Sequence, residues 1–393
     1  MKILIISNLY PPHVLGGYEI LCAQVVDNLK ARGHQVHVLT SDHGGGKSDQ
    51  DVTRTLKVYQ DFDKSASFMR SARIKTAIHN KKETLKILEN NSFDVVFIWS
   101  LLRLTPASAH VVQKECIPAV YTFNDENITS FNYHPFSFSL KTAAHSLLDR
   151  LFPLTTVRKL DFSRTTCISR ILKNNLLEKH LPINESKVIY QGIPIEKFPL
   201  KKGPVVLGQP AKILYVGQLH PYKGVHTIIE ALKILEKKDG IKPCSLTIVG
   251  KGPKEYTQRL EKMAAEASCE IRLAGPVPHD ELPSLYRGMD IFIFPSIWEE
   301  PFGLTHLEAM ASGLPVISTA NGGQGEFLVE GENALTFTPD DPENLCRQLE
   351  RLLTDSSLYT KLAVNGRKTV EEHFYFDRYV DELEELLLSA VSH

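Results

Sequence analysis

The sequence has 393 residues, of which 42% are apolar and 23% are charged. These fractions are typical of globular proteins and exclude a disordered chain or a coiled coil. There is no apolar run of about 18 residues, which excludes a membrane-spanning helix. The short apolar start at 1–9 predicts a strand rather than a signal peptide. At about 150 residues per domain, the length predicts two to three domains.

The six cysteines are scattered singly, with no C-x-x-C pair and no Cys/His cluster at metal-ligand spacing. This pattern argues against disulfides and structural zinc and favours a reducing compartment. We therefore predict a cytoplasmic protein.

Charge is distributed unevenly along the chain, although the net charge is only −1. Residues 1–202 carry 27 Lys and Arg against 18 Asp and Glu, whereas the remainder carries 18 against 28. A basic half joined to an acidic half predicts two domains with different partners.

The N-terminal half alternates strand and helix patterns. Residues 2–7 form a continuous apolar run, as a strand buried on both faces would. A loop with Gly16 and Gly17 follows, then apolar positions at helical spacing over 18–32. Further strands are predicted at 36–40, 94–98, 119–123 and 187–190. Such units build a parallel, doubly wound sheet.

A proline- and glycine-rich linker at 197–212 separates this half from a second set of such units. The apolar pattern there predicts strands at 212–216, 245–249, 271–274, 291–294 and 315–318, and helices near 224–237, 254–267, 280–287 and 304–312. Apolar residues at helical spacing near the end of the sequence predict a last, amphipathic helix. We expect two Rossmann-like domains facing a cleft, with ligands beyond the carboxyl ends of the strands.

The strongest local signal is the segment 295–317, where a strand is followed by a carboxylate-bearing loop and a short helix. The free backbone N–H groups of Phe302, Gly303 and Leu304 predict an anion site at the helix start. Glu300 lies at its mouth and Glu308 inside the helix. Alternatively, Glu308 pairs with a structural arginine and Glu300 only favours the helix N-terminus.

Two loops of the second half could also meet a ligand. Lys223 follows the first strand there and could offset phosphate charge, or could be a solvated surface lysine. Gly250 belongs to a strand-to-helix glycine turn, which fits either ligand contact or turn geometry alone.

These motifs, in this order, resemble glycosyltransferase family 4, whose members are retaining, nucleotide-sugar-dependent enzymes of the GT-B fold. The resemblance covers nearly the whole chain and includes Gly322-Gly323 followed by Glu326. It implies an acceptor-binding domain at 1–202, a nucleotide-sugar-binding domain at 203–373, and a C-terminal helix at about 374–393 that crosses back to the first domain.

The resemblance also implies residue roles. Glu308 would bind the ribose hydroxyls and Glu300 the hydroxyls of the donor sugar. Lys223 and the amides of 302–304 would hold the diphosphate. Val277 would present backbone groups to the base, and Gly17 would let its loop approach the diphosphate.

Two positions depart from the family pattern. Gln218 stands where the family usually has an arginine, which removes one positive charge from the predicted donor site. Asn124 stands where a histidine is common, and an amide can bond a sugar hydroxyl but cannot titrate near neutrality. Asn124 or Asp125 would orient the donor, or they form only an Asn-Asp loop turn.

The predicted chemistry is sugar transfer with retention of anomeric configuration. We predict a UDP-linked donor only because such donors are frequent in the family that the chain resembles. Lys223 and the helix N-terminus would stabilise the leaving diphosphate. No D-x-D motif occurs in the second half, which carries the predicted donor site, so we expect no metal or other cofactor. The acceptor would be a saccharide, a lipid-linked molecule or a small molecule.

A second partner is predicted from the segment 141–179, which has eight basic and three acidic residues among leucines. It suits peripheral contact with an anionic membrane, or else a helix whose apolar face belongs to the core. The basic half has no nucleic-acid recognition motif. The alternatives to a transferase are another enzyme of the same fold, such as an epimerase or phosphorylase, and a non-catalytic sugar-nucleotide-binding protein.

Overall fold

The structure is a computed structural model that describes residues 1–61, 70–131, 153–200, 207–241 and 243–392. It divides into two compact units, unit 1 with Met1–Ile189 and Val380–His393, and unit 2 with Tyr190–Tyr379. Among the described residues no helix is long and apolar enough to cross a membrane.

Unit 1 is built on a parallel sheet, whose seven described strands run in the order β3-β2-β1-β4-β5-β6-β7. The central strand is apolar throughout because helices cover both faces of such a sheet. The strands are β1 (Lys2–Ile6), β2 (Gln35–Ser41), β3 (Val52–Leu56), β4 (Val95–Ile98), β5 (Ala119–Phe123), β6 (Thr165–Cys167) and β7 (Lys187–Val188). The helices described here are α1 (Gly17–Ala31), α2 (Arg70–Asn90), α3 (Ala107–Lys114) and α4 (Arg170–Glu178).

Unit 2 repeats this architecture with six described parallel strands in the order β10-β9-β8-β11-β12-β13. The strands are β8 (Ala211–Val216), β9 (Cys244–Val249), β10 (Glu270–Gly275), β11 (Ile291–Phe294), β12 (Val316–Ser318) and β13 (Leu335–Thr336). The helices are α5 (Val225–Leu235), α6 (Lys254–Ala265), α7 (Leu282–Arg287), α8 (Leu304–Ala311), α9 (Pro342–Thr354) and α10 (Ser356–His373). The fold class predicted from the sequence, two Rossmann-like doubly wound domains, is confirmed.

The terminal helix α11 (Phe376–Val391) leaves unit 2 and returns to unit 1, as the resemblance implied. Its Glu384 accepts from Arg32 and lies 2.6 Å from His34, and Asp381 also bonds Arg32 at 2.6 Å. These partners lie at and just after the end of α1. The polar contacts therefore attach the last helix to the first one.

The first boundary between the units lies at Ile189/Tyr190, ahead of the linker in which the sequence placed it. The Tyr190 hydroxyl donates to Glu326 at 2.8 Å, and its ring stacks on Phe302 at 5.9 Å. The Ile193 amide donates to the Phe374 carbonyl at 3.0 Å. These contacts draw the residues that follow β7 into unit 2.

The basic segment at 141–179 is described only in part, because residues 141–152 lie outside the described ranges. In the described part, Leu160, Leu172 and Leu176 are buried, while Arg158 and Arg170 are exposed. The apolar face of α4 therefore belongs to the core of unit 1.

Candidate functional site

The loop between β11 and α8 ends in a backbone conformation that requires glycine. Gly303 precedes the helix with φ 142°, and a Cβ there would lie 2.7 Å from Nδ1 of His306. Within the described part of the chain, the N–H groups of Phe302, Gly303 and Leu304 donate to no protein acceptor. The helix start predicted from the sequence is therefore present, with three donors available to an anion.

Lys223 and Glu300 meet at this helix start. The Lys223 ammonium donates to both carboxylate oxygens of Glu300, at 2.6 and 2.8 Å, and the Ser296 hydroxyl donates to Oε1 at 2.5 Å. All three residues are buried. The surface-lysine alternative is therefore wrong, because a buried charge requires a partner such as this carboxylate.

A close backbone approach brings the two charges together. Lys223 ends a short helical turn after β8, and Gly224 follows it with φ 66°. A Cβ on Gly224 would lie 2.1 Å from the carbonyl oxygen of Pro295. Only glycine at position 224 lets the loop after β8 lie against the loop after β11. This contact places Lys223 within hydrogen-bond distance of Glu300.

An aromatic pair borders the ion pair. The Lys223 nitrogen lies 5.1 Å from the ring centre of Trp298 and 5.6 Å from that of Tyr222, within cation–π range. Trp298 is 43% exposed and Tyr222 is 41% exposed, so both rings reach the surface beside the buried charges. The Tyr222 hydroxyl donates to the Gln218 side chain at 3.4 Å, and Gln218 itself is exposed.

Glu308 lies inside α8 and is also buried. Its Oε2 accepts a hydrogen bond from Tyr286 on α7 at 2.9 Å, and its Oε1 lies 3.4 Å from Nε2 of His279. The polar partners in the described residues are thus a tyrosine and a histidine, rather than the structural arginine considered above. Val277 lies two positions before His279 in the loop after β10, and within the described ranges its backbone groups bond to no other residue.

The glycine turn after β9 has a structural explanation. Gly250 has φ 147°, and a Cβ on it would lie 1.8 Å from the carbonyl oxygen of Gly217. A Cβ on Gly252 would lie 1.8 Å from the carbonyl oxygen of Leu219. The turn lies so close to the β8 loop that side chains are excluded, so turn packing alone accounts for Gly250.

The remaining candidates lie in unit 1. Gly16 precedes α1 in extended backbone, with φ −171°, and no heavy atom lies within 4 Å of a Cβ built on it. Its N–H donates to the buried carboxylate of Glu19 at 3.0 Å, and burial raises the pKa of that carboxyl. The fold does not require glycine at position 16, and the space beside it is open. Gly17 is the first residue of α1.

Asn124 and Asp125 follow β5 and line a pocket of unit 1 together with Tyr18 and Trp99. The Asn124 amide donates to the Tyr18 hydroxyl at 2.8 Å, and that hydroxyl donates to the Trp99 carbonyl. The Tyr18 ring stacks on Trp99 at 5.4 Å. Burial raises the pKa of Asp125, whose Oδ1 accepts the Asn127 N–H at 2.8 Å.

Several side chains that hold the candidate residues of unit 2 and of unit 1 were not predicted from the sequence. Ser296, Tyr286 and His279 hold the predicted carboxylates, and Tyr18 holds Asn124. Ser296 lies two positions after a strand, in the predicted site loop, which was an available signal. Nothing in the sequence pairs the other three with their partners, because these contacts depend on the tertiary fold.

Comparison with known proteins agrees with this fold. The pattern of the family described as "Glycosyltransferase Family 4" matches residues 15–197, and that described as "Glycosyl transferases group 1" matches residues 199–369. The chain is 26% identical to an uncharacterized glycosyltransferase of Methanocaldococcus jannaschii, covering 97% of this chain and 96% of that protein. It is 28% identical to a glycogen synthase of Mycobacterium tuberculosis, covering 99% and 95%.

Solved structures share the fold at lower identity. HepE from Anabaena, crystallised in complex with UDP and glucose, is similar with a TM-score of 0.73 at 18% identity over 99% of this chain and 100% of HepE. Sucrose-phosphate synthase from Thermosynechococcus elongatus gives 0.73 at 18% identity over 100% of this chain and 99% of that one. The two family patterns and the related glycosyltransferases, together with the shared fold, thus define a glycosyltransferase of the GT-B class. The chain belongs to glycosyltransferase family 4.

Proposed function

We propose that the protein transfers a sugar from a UDP-linked donor to a saccharide, lipid-linked or small-molecule acceptor, with retention of configuration. The observation that carries this proposal is the buried Lys223–Glu300–Ser296 cluster beside the free N–H groups of 302–304. A cation and oriented N–H groups suit a diphosphate, and a carboxylate next to them suits sugar hydroxyls.

The residues would divide the work as follows. The start of α8 and Lys223 hold the diphosphate, while Glu300 holds the donor sugar. Glu308 takes the ribose hydroxyls, and the backbone around Val277 meets the base. HepE binds UDP and glucose, as its crystal structure is described, which supports a uridine donor on the same fold.

The bond changes follow from retention. The bond between the anomeric carbon and the phosphate oxygen breaks, and the acceptor oxygen bonds to the same face of that carbon. The acceptor proton passes to the departing phosphate oxygen, so no separate base is needed and an asparagine at 124 is tolerated. Lys223 and the α8 N–H groups stabilise the charge that develops on the diphosphate.

Metal independence belongs to the same proposal. Among the described residues, no three His, Cys, Asp or Glu side chains are grouped as a metal site requires. We expect turnover to survive an excess of chelator. Loss of activity in chelator, with recovery on adding Mg²⁺ or Mn²⁺, would contradict this part.

The test begins with a thermal-shift panel of UDP-, GDP- and ADP-sugars, followed by incubation of the best donor with acceptors of the three classes. We expect UDP release that depends on acceptor, and a product whose anomeric configuration by NMR equals that of the donor. An inverted product would contradict retention. Turnover of the sugar nucleotide without acceptor would instead identify an epimerase.

Peripheral contact with an anionic membrane remains a proposal for the segment at 141–179. Its support is the excess of basic residues, of which Arg158 and Arg170 are exposed. We expect vesicles with anionic lipid to retain the protein at low salt and release it at high salt, because exposed charges are screened. Equal recovery with neutral vesicles would contradict the contact.

A further inference from the structure

The carboxylate of Glu308 is held by one residue on each of its two oxygens. Tyr286 donates to Oε2 at 2.9 Å, and His279 lies 3.4 Å from Oε1. The two partners come from different places, since Tyr286 is on α7 and His279 is in the loop after β10. Neither is accounted for by the roles proposed above.

Tyr286 cannot touch a ligand itself, because its side chain is fully buried. Its ring packs against Phe198 and Phe292, each at 6.0 Å between ring centres. Burial and the neighbouring carboxylate raise the pKa of the hydroxyl, so it keeps its proton and donates. Any effect of Tyr286 on a ligand must therefore pass through Glu308.

The hydrogen-bonding capacity of Glu308 suits a vicinal diol once these contacts are made. An ionised carboxylate offers about four lone-pair sites, two on each oxygen. Tyr286 uses one site on Oε2, and His279 approaches Oε1 to within 3.4 Å, which leaves a site on each oxygen for a ligand. Two adjacent hydroxyls, such as those of a ribose, can occupy both when the carboxylate keeps a fixed orientation.

We propose that Tyr286 and His279 are positioning residues that hold the Glu308 carboxylate in the one orientation that accepts both ribose hydroxyls of the donor nucleotide. This inference rests on the proposed function, since it takes Glu308 as the ribose-binding residue. His279 also joins the ribose-binding carboxylate to the loop that carries Val277. The base loop and the ribose site are thereby linked through one side chain.

The test measures preference for ribose. Dissociation constants are determined for UDP and GDP and for their 2′,3′-dideoxy counterparts, and the base that binds more tightly is used. The wild type prefers the ribonucleotide, and Glu308→Ala abolishes this preference. Tyr286→Phe weakens binding of the ribonucleotide roughly three- to tenfold, as loss of one hydrogen bond would, and leaves the dideoxy form nearly unchanged.

A matched control is Tyr359→Phe, which removes another buried hydroxyl of unit 2. That hydroxyl donates to the Asp290 carbonyl at 3.0 Å, at the amino end of β11 and so at the opposite edge of the sheet from α8. We expect it to leave the preference for ribose intact. Should Tyr286→Phe fail to fold, His279→Ala gives the same reading, since its side chain is 25% exposed and its loss leaves the core intact.

The outcomes separate the two proposals. If Glu308→Ala lowers the preference for ribose while Tyr286→Phe and His279→Ala do not, the positioning role is wrong and the donor site stands. Equal weakening of ribo and dideoxy forms by Tyr286→Phe would also overturn it, as that indicates general damage to the site. A wild type without any preference for ribose would contradict both proposals.

Discussion

Lys223 and Glu300 form a buried ion pair across 77 positions of the sequence, with both carboxylate oxygens within 2.8 Å of the ammonium nitrogen. Their contact joins the loops that follow β8 and β11, two adjacent strands of the unit 2 sheet. A diphosphate that draws Lys223 to itself would release one acceptor site of Glu300 for a sugar hydroxyl. The pair is thus part of the fold and of the proposed donor site at once.

Removing one member of this pair should destabilise unit 2. In Lys223→Ala the Glu300 carboxylate stays buried without its cation, and we expect the free energy of unfolding in urea to fall by about 3–5 kcal/mol. The double variant Lys223→Met, Glu300→Gln leaves no charge and should recover most of that loss. Lys251→Ala removes an exposed lysine of the neighbouring turn and serves as the control. We expect the control to change the free energy of unfolding little. An equally small change for Lys223→Ala would contradict the buried ion pair.

Glycine positions separate fold from ligand binding. Gly252→Ala would place a methyl carbon 1.8 Å from a carbonyl oxygen, so we expect a loss of more than about 2 kcal/mol in unfolding free energy. Gly16→Ala meets no atom and should change stability by less than about 0.5 kcal/mol. Since the resemblance implies that this loop approaches the diphosphate, we expect Gly16→Ala to weaken donor binding in calorimetry. Unchanged affinity would remove Gly16 from the site.

His306 should make the stability of unit 2 depend on pH. Burial lowers its pKa to about 3, well below its ordinary value of 6.5. Between pH 6.5 and about pH 3, His306 is protonated in the unfolded chain but neutral in the folded chain. The contribution of neutral His306 to the free energy of unfolding is therefore complete above pH 6.5 and decreases as the pH falls. The loss approaches about 1.4 kcal/mol per pH unit for one proton.

The control for this prediction is His306→Gln, whose amide can still bond the Ser318 hydroxyl that Nε2 contacts at 2.8 Å. The free energy of unfolding in urea should be measured for both proteins between pH 7 and pH 4. We expect the wild type to lose more stability than the variant as the pH falls. Parallel curves would mean that His306 takes up a proton in the folded protein.

In unit 1, Tyr18→Phe should release the Asn124 amide while keeping the ring stack on Trp99. We expect Tyr18→Phe and Asn124→Ala to be non-additive, with a coupling of about 0.5–1.5 kcal/mol in unfolding free energy, because they share one hydrogen bond. Both should raise KM for donor or acceptor more than they lower kcat. Additive effects in the double variant would show that the bond does not operate in solution.

Sequence patterns predicted the parts of the fold where local signals are strong. β1 and β11 are largely apolar runs and α8 is bounded by Gly303 and Gly313, and all three are present near the predicted positions. β6 and β13 are only three and two residues long and contain threonine, so no apolar pattern marks them. α2 is rich in charged side chains, which obscured its helical stripe.

The sequence predicted which residues belong to the candidate site, but it did not predict which of them contact each other. Glu300 and Lys223 were each identifiable from their loops, but their pairing depends on the approach of Gly224 to Pro295, which is a tertiary property. The same holds for Glu308, whose partners Tyr286 and His279 come from other elements. A single sequence indicates which groups are chemically suited to a site, while packing decides what holds them.

The most direct test of the account is a crystal structure of the protein with the sugar nucleotide that stabilises it most in the thermal-shift panel. We predict diphosphate oxygens within hydrogen-bond distance of the backbone N–H groups at 302–304 and of Lys223, sugar hydroxyls on Glu300, and ribose hydroxyls on Glu308. Density for the nucleotide away from the start of α8, with the Lys223–Glu300 pair unchanged, would contradict the central claim.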